Sequence, residues 1–483
     1  MGRKQGSTVD LLVPANFIRA IRESGYVSLS TALAELVDNS IQANAAVIDI
    51  AIGRSGPDAL PWISVEDDGR GMSEEELITC LRFGGSSRFD SRSSFGRFGM
   101  GLPAASLSQA RHIEVATWRP GTPARAVHLD VDAVAQGEGA FLSAVDGHGG
   151  VAPSGCRVTW NECDRIEYRR LAWLERALHR DLGRMFRKFL DRGTTMRING
   201  HEVDPVDPML LNTTVSGHSA RLAFDPLRYE IPTATGETSC VTVTFAMLPV
   251  ARWHHLDNAT KRRVGVVGHG GVSILRAGRE IASGWYLMGG KRKENYDDWW
   301  RCEIEFDPAL DEDFGITINK QGVRPSAALR EALEPELESI ARILNARVRQ
   351  AFEEVKFEAA VQGSCRIAGA ADAELPVIRT AGRATGALSY RLGADQLTGE
   401  SMFELTLKQR RIDVTLNTDH PAFSALYRPL QELGESGTPV RIALELMLLS
   451  FARSIASMDV TTRERQELLQ TWGATYGRML AKS

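Results

Sequence analysis

The chain has 483 residues, 43% hydrophobic and 24% charged, with 57 Lys and Arg against 61 Asp and Glu. That composition is ordinary for a soluble globular protein, and the length exceeds what one hydrophobic core supports, so about two to four domains are expected. A formal net charge of −4 supplies no global field that would draw in nucleic acid, and no run of about 18 apolar residues predicts a membrane span. The basic start MGRKQG leads into no apolar signal core. The cysteines (Cys80, Cys156, Cys163, Cys240, Cys302 and Cys365) are scattered, with no CxxC and no His at metal-ligand spacing. Reduced thiols, no zinc and a cytoplasmic location are therefore expected.

In chain order, Phe17 to Ser24 reads as a helix stopped by Gly25. Ser28 or Ser30 can cap the next helix, whose run LAELVDNSIQAN (Leu33 to Asn44) carries Glu35 and Asn39 four residues apart. That spacing stacks a carboxylate and a carboxamide on one helix face, a pairing able to hold a water and a divalent ion. AVIDIAIG and WISVED alternate as strands. The second strand ends in D-x-G-x-G, formed by Asp67, Gly69 and Gly71, and Met72 follows. A carboxylate at a strand end, with glycines that admit close backbone approach, suits ligand contact as well as a plain turn. Ser73 and Glu76 make a capping box for another helix.

A stretch rich in Gly, Ser and Arg then closes on Gly96, Gly99, Met100, Gly101 and Leu102, a G-x-x-G-x-G pattern opening a helix over Leu102 to Gln109. Glycines at a helix N-terminus make a phosphate cradle from free N–H groups and the positive end of the dipole. The pattern lacks the Lys-Ser/Thr of a P-loop. Strands are expected at His112 to Trp118, at Ala126 to Val131, and in SGCRVTWNECDR, which carries Thr159. A charged helix over Tyr168 to Leu190 precedes a hairpin turning at Asn199-Gly200.

Taken together and in this order, ELVDN, DDGRG, GRFGMG and a Gly/Thr strand resemble the GHKL ATPases, the superfamily of gyrase B subunits, MutL repair proteins, histidine kinases, ninety-kilodalton heat-shock chaperones and Microrchidia proteins. The resemblance covers residues 1 to about 165 and is nearest to bacterial Microrchidia-like proteins. It implies an α+β chain. A Bergerat-type α/β sandwich ATPase domain (1–204) would come first, then a transducer-like S5-type domain (205–325). A helical connector (326–360), a linker (361–386) and a small C-terminal α+β module (387–483) would follow.

The resemblance also implies roles. Glu35 would deprotonate the attacking water, and Asn39 would bind Mg²⁺ through its amide oxygen. Asp67 would accept from the adenine amino group, with Thr159 supporting it. Gly69, Gly71 and Met72 would line the base, while Gly96, Gly99, Met100, Gly101 and Leu102 would form the lid over the phosphates. Lys320, in ITINKQGV, would reach the γ-phosphate. Gln42 departs from the Asp or His of many members. The cofactors implied are ATP and Mg²⁺. The expected behaviour is a switch that dimerises on ATP and acts on DNA or a protein partner, with DNA manipulation or phage defense as the setting the resemblance implies; the alternative is a chaperone-like scaffold without DNA contact.

Beyond the transducer-like region, Trp299 and Trp300 read as core residues, since a strand follows them directly. Residues from Ser326 to about Ala360 read as a helix broken at Pro335, and GSCRIAGAADAELPVIRTAGRATG as a linker. The last segment suggests two strands and three helices, with His420 isolated.

Overall fold

The computed structural model describes residues 14–26, 28–56, 59–84, 100–136, 142–166, 170–233, 236–316, 322–380, 383–384 and 387–482. The chain is α+β and divides into two compact units. The first comprises residues 1–249 and 255–345, the second residues 250–254 and 346–483.

The first unit opens with helices α1 (Pro14–Ser24) and α2 (Leu29–Gln42), then strands β1 (Val47–Arg54) and β2 (Pro61–Asp67). Helices α3 (Glu74–Thr79) and α4 (Gly101–Gln109) follow, then β3 (His112–Trp118), β4 (Arg125–Asp130), α5 (Val131–Ala135), β5 (Val145–Asp146) and β6 (Gly155–Asn161). Helices α6 (Leu171–Met185) and α7 (Arg187–Leu190) lead to β7 (Thr195–Ile198) and β8 (His201–Glu202). Among the described residues these strands form one sheet in the order β5-β4-β3-β6-β2-β1-β7-β8. It is antiparallel except where β1 lies parallel to β7.

Alternation decides the layering. On β2, Pro61, Ile63, Val65 and Asp67 face inward while Trp62, Ser64 and Glu66 face out. The inward face packs on α1, α2, α4 and α6 in one continuous apolar core that includes Leu33, Val37, Ile50, Val65, Val115, Trp160 and Leu178. Trp160 is fully buried and its Nε1–H donates to Ser106 on α4 at 2.9 Å, so the indole's one polar atom is satisfied. The Asn199-Gly200 turn has φ of 48° and 80°, as a two-residue hairpin turn of this type requires.

A second sheet in the same unit comprises β9 (Arg221–Leu222), β10 (Leu227–Pro232), β11 (Thr238–Met247), β12 (Val272–Arg276), β13 (Arg279–Gly284) and β14 (Trp300–Phe306). Its order is β10-β11-β14-β12-β13, with β9 paired to β11. Short helices α8 (Val250–Trp253) and α9 (Asn258–Val264) lie between β11 and β12 in the chain. Trp299 and Trp300 are buried, as their position before a strand suggested, and the Trp300 Nε1–H donates to Asn345 Oδ1 at 2.8 Å.

The two sheets are joined through charge. Arg184 Nε donates to Glu280 Oε1 at 2.6 Å, and Arg187 donates to Glu280 and to Glu303 Oε2, the latter at 2.6 Å. Lys188 Nζ reaches Glu303 Oε1 at 2.6 Å and Glu305 Oε2 at 2.7 Å. Helices α6 and α7 thus present cations to carboxylates on β13 and β14.

Helix α10 (Ala327–Asp372) runs on through Pro335 and through residues 361–372, where the sequence suggested a break and a linker. Leu329, Leu333, Leu337, Ala341 and Leu344 are all buried at helical spacing on both sides of the proline. That packed stripe outweighs the hydrogen bond a proline forfeits.

In the second unit, β15 (Arg379–Thr380) pairs with β16 (Arg383–Ala384), and β17 (Ser389–Asp395), β18 (Phe403–Lys408) and β19 (Arg411–Asn417) form a sheet in the order β17-β19-β18. The sequence reading missed β17, which pairs parallel to β19. Helices α11 (Arg428–Glu432), α12 (Thr438–Ser457) and α13 (Thr462–Leu480) complete the unit. His420 is buried: its Nδ1 accepts from Ala422 N at 3.1 Å, so its Nε2–H donates to Gly473 O at 2.9 Å. It is a packing residue.

Removing Arg187 tests how firmly the two sheets are joined. Arg187→Met leaves Glu280 and Glu303 buried and one cation short, and is expected to cost about 3–5 kcal/mol in chemical denaturation. The wild type carries a pH signature as well. Burial opposes ionisation of Glu303, but Arg187 and Lys188 hold its carboxyl below the ordinary value of 4.5. Its contribution to stability is therefore present above that value and lost as pH falls through the depressed one, which acid titration of the unfolding free energy reads directly.

Candidate active site

The site is built on α2. Ser28 caps the helix, accepting from Thr31 N while the Thr31 hydroxyl accepts from Ser28 N, so of the two cap candidates the structure selects Ser28. Ser30 instead donates to Asp181 Oδ2 at 2.8 Å. Leu29, Ala32, Leu33, Leu36 and Val37 are buried and fix the helix on the sheet. Glu35 is 4% exposed on that helix, and Asn39, one turn on, is exposed.

Asp67 ends β2 with its side chain on the core face, 7% exposed. The Ser40 hydroxyl donates to its Oδ2 at 2.9 Å and the Gly69 N–H to its Oδ1 at 2.9 Å. Burial pushes the Asp67 carboxyl above the usual aspartate range, and the Ser40, Gly69 and Cys156 hydrogen bonds offset only part of that. Its neighbour Asp68 accepts from Ala46 N and Val47 N at 2.8 and 2.9 Å, which ties the turn to the start of β1.

The two glycines after Asp67 are there for space. A Cβ on Gly69 would stand 2.7 Å from Ala43 Cβ, and one on Gly71 would stand 2.5 Å from the Trp118 carbonyl oxygen, where φ is also +65°. The Gly71 carbonyl accepts from Arg119 Nη2 at 2.7 Å. Arg119 and Arg70 both hold Glu76, whose carboxyl the Arg70 hydrogen bond, ahead of other effects, pushes down to about 2. Met72 is half-buried against the core, and its N–H donates to Thr117 Oγ1 at 2.8 Å. The Thr117 hydroxyl passes the link on to Gly155 O at 3.0 Å.

Helix α4 closes the other side. Met100 occupies its N-cap without a side-chain hydrogen bond, so the helix opens on main-chain N–H groups. Met100, Gly101 and Leu102 are each half-buried. A Cβ on Gly101 would lie 2.5 Å from Glu35 Oε2. The helix N-terminus therefore stands against the carboxylate of α2, and a side chain at Gly101 would displace the Glu35 carboxylate from this position. Positive dipole, main-chain donors and a carboxylate oxygen meet at one point, which suits a phosphoryl group with a water in line. Among the described residues no three His, Cys, Asp or Glu side chains come together as a metal site. Asn39, exposed on the same helix, carries an amide oxygen of the kind that hard divalent cations accept as a ligand.

Thr159 requires a correction. It pairs with Ser64 in the β2–β6 register, and its hydroxyl lies 3.5 Å from that of Ser64. Asp67 pairs with Cys156. An odd offset of three residues along β6 puts Thr159 on the opposite sheet face from Asp67, so it does not support that carboxylate. Cys156 and Thr117, paired across β3 and β6, stand on the Asp67 side instead. Counting by twos from Asp67 through a correctly registered strand would have found them. Gly96, Gly99 and Lys320 lie outside the described residues.

The sequence reading also missed Arg279. Its Nη1 donates to Asp38 Oδ2 and lies 3.4 Å from Glu35 Oε1, with all three side chains buried. The one signal available was Asp38 itself, a second acid three residues after Glu35 on a helix otherwise apolar on that side.

Comparison with known proteins agrees with this geometry. Residues 27–147 match the family model described as histidine kinase-, DNA gyrase B- and HSP90-like ATPase. A stretch of 109 residues is 31% identical to ATPase morc-1 of Caenorhabditis elegans. That match takes in 23% of this chain and 12% of the relative, so the chain spans only a small part of that relative's length. The matched residues 27–147, which carry the α2 helix, the Asp67 turn and the N-terminus of α4, are thus similar to the histidine kinase-, DNA gyrase B- and HSP90-like ATPases.

Proposed function

We propose that the chain binds ATP and hydrolyses it to ADP and phosphate, and that nucleotide turnover drives a conformational switch. The observation that carries this reading is the meeting of the buried Glu35 carboxylate with the N-terminus of α4 at Gly101. The family match over residues 27–147 supports ATP binding.

In this reading Asp67 accepts a hydrogen bond from the adenine amino group, which guanine, with a carbonyl there, cannot supply. Gly69, Gly71 and Met72 bring main chain and a flat apolar surface against the base. The N–H groups of Gly101 and Leu102, with Met100 alongside, take the phosphate oxygens, and Gly96 and Gly99 belong to the segment that closes over them. Glu35 orients a water and receives its proton as the water oxygen bonds to the γ-phosphorus. The bond from that phosphorus to the β-phosphate bridging oxygen breaks, and its electron pair leaves with ADP. Asn39 would hold Mg²⁺ through its amide oxygen, and the ion when bound would neutralise charge on the phosphates. Lys320 places a further cation at the γ-phosphate. Gln42 lies outside these roles.

Nucleotide-dependent self-association would turn this chemistry into work on DNA or on a protein partner, with chaperone-like scaffolding as the alternative. Among the described residues no helix is long and apolar enough to cross a membrane.

Glu35→Gln is expected to keep ATP binding and lose turnover by on the order of 10²- to 10⁴-fold, and Lys320→Ala to show the same split. Equal turnover by wild type and Glu35→Gln sinks the hydrolytic reading. Asp67 accepts from the adenine amino group more strongly when ionised, and its raised pKa means that acidification protonates it earlier than an ordinary aspartate. ATP affinity, followed by calorimetry, should therefore decline on acidification while pH is still above 3.8, the ordinary aspartate value. Sedimentation with and without a non-hydrolysable ATP analogue addresses the switch: association only with nucleotide is expected, and a dimer indifferent to nucleotide removes it.

A further inference from the structure

The second sheet reaches the proposed reaction centre through one side chain. Strand β13 begins at Arg279, directly after a turn in which Ala277 and Gly278 have φ of 48° and 86°. That tight turn fixes where Arg279 leaves the hairpin, and the side chain enters the core of the first sheet, 3% exposed. Its guanidinium lies 5.6 Å from the centroid of the buried Phe186 ring. It bonds Asp38 through Nη1, and the same nitrogen stands 3.4 Å from Glu35 Oε1.

Three features make this more than a buried ion pair. First, the two Glu35 oxygens are differently engaged: Oε1 faces Arg279, and Oε2 faces Gly101 at the N-terminus of α4. Second, one guanidinium nitrogen serves both acids: Nη1 donates to Asp38 and faces Glu35, so Asp38 holds the cation in the place from which it orients Glu35. Third, Arg279 is anchored from behind, because its neighbour Glu280 is bound by Arg184 and Arg187. Phe186, one residue before Arg187, supplies the ring beside the guanidinium. Movement of β13 therefore moves the group that holds Glu35.

We propose that Arg279 is the positioning residue for Glu35, so that hydrolysis requires the second sheet to hold β13 in this place. The inference rests on the reading of Glu35 as the group that takes the proton from water. Arg279 orients the Glu35 carboxylate and Asp38 balances the cation. Nucleotide binding, which uses Asp67, the glycines and α4, does not require it.

The test is ATP turnover and, separately, ATP affinity by calorimetry, for wild type, Glu35→Gln, Arg279→Met, Arg279→Lys and the double variant Arg279→Met/Asp38→Asn. The double variant removes the carboxylate charge that Arg279→Met would strand, and so guards against simple unfolding. Arg279→Met and the double variant should lose kcat on the order of 10- to 100-fold, the scale of a misplaced catalytic group, with ATP affinity kept within about threefold. Arg279→Lys should recover part of kcat, because an ammonium restores the charge but not the planar two-carboxylate reach. Wild-type kcat in the double variant overturns the proposal. So does a parallel loss of kcat and affinity in every Arg279 variant, which is what a merely structural ion pair predicts. If wild type turns over no faster than Glu35→Gln, the reading of the site itself falls, and the inference with it. If wild type is faster than Glu35→Gln but Arg279→Met matches wild type, the inference alone falls.

Discussion

Burying ionised carboxylates beside an apolar core is the constraint on which the first unit depends. Glu35, Asp38 and Asp67 all point inward from α2 and β2, where isolation from water would neutralise or unfold them. Each is met in a different way. Asp67 receives a hydroxyl from the helix it faces and a main-chain N–H two residues on, and its pKa remains raised. Glu35 and Asp38 share a guanidinium delivered from a second sheet, 241 residues beyond Asp38 in the chain. The carboxylates of the proposed site are therefore each given partners by the fold, as is expected where charges must be ready to act.

The same logic extends along the junction between the two sheets. Arg184, Arg187 and Lys188 on α6 and α7 face Glu280, Glu303 and Glu305 on β13 and β14, so two strands of the second sheet meet the helices through opposite charges. Such pairs are costly to dehydrate and costly to break one-sidedly, which favours a defined docking geometry over a loose one. Arg279 belongs to the same strand as Glu280, and the site inherits that registration. In the second unit, treated by itself, Glu445 is fully buried and accepts from Ser364, Tyr427 and Arg441, a satisfied network within its own core. Thr159 and Cys156 show how sheet register governs function at finer scale: three residues along one strand separate the two faces, and with them a bystander from a neighbour of Asp67.

Much of the first sheet could be read from the chain because it is locally encoded. Alternation in β1 and β2, the Ser28 and Ser73 caps, and the Asn199-Gly200 turn each depend on residues within a few positions of one another. The placement of Glu35, Asn39, Asp67 and Gly101 on their elements was legible for the same reason, since each sits at a local signal: helical spacing, a strand end or a helix start. Helix α10 was misread at Pro335 because the buried stripe that carries it past the proline is a tertiary fact, as is the pairing that reveals β17.

The sequence by itself determined where the chemistry-bearing side chains sit on their own elements, because hydrogen-bond capping, helical period and strand alternation act over short range. Only the tertiary structure decided which charge answers which. Arg279 on a distant hairpin, Cys156 and Thr117 across a sheet register, and the approach of Gly101 to Glu35 all depend on long-range packing. Whether a buried acid is stable is set by its three-dimensional neighbours, and local spacing does not specify them.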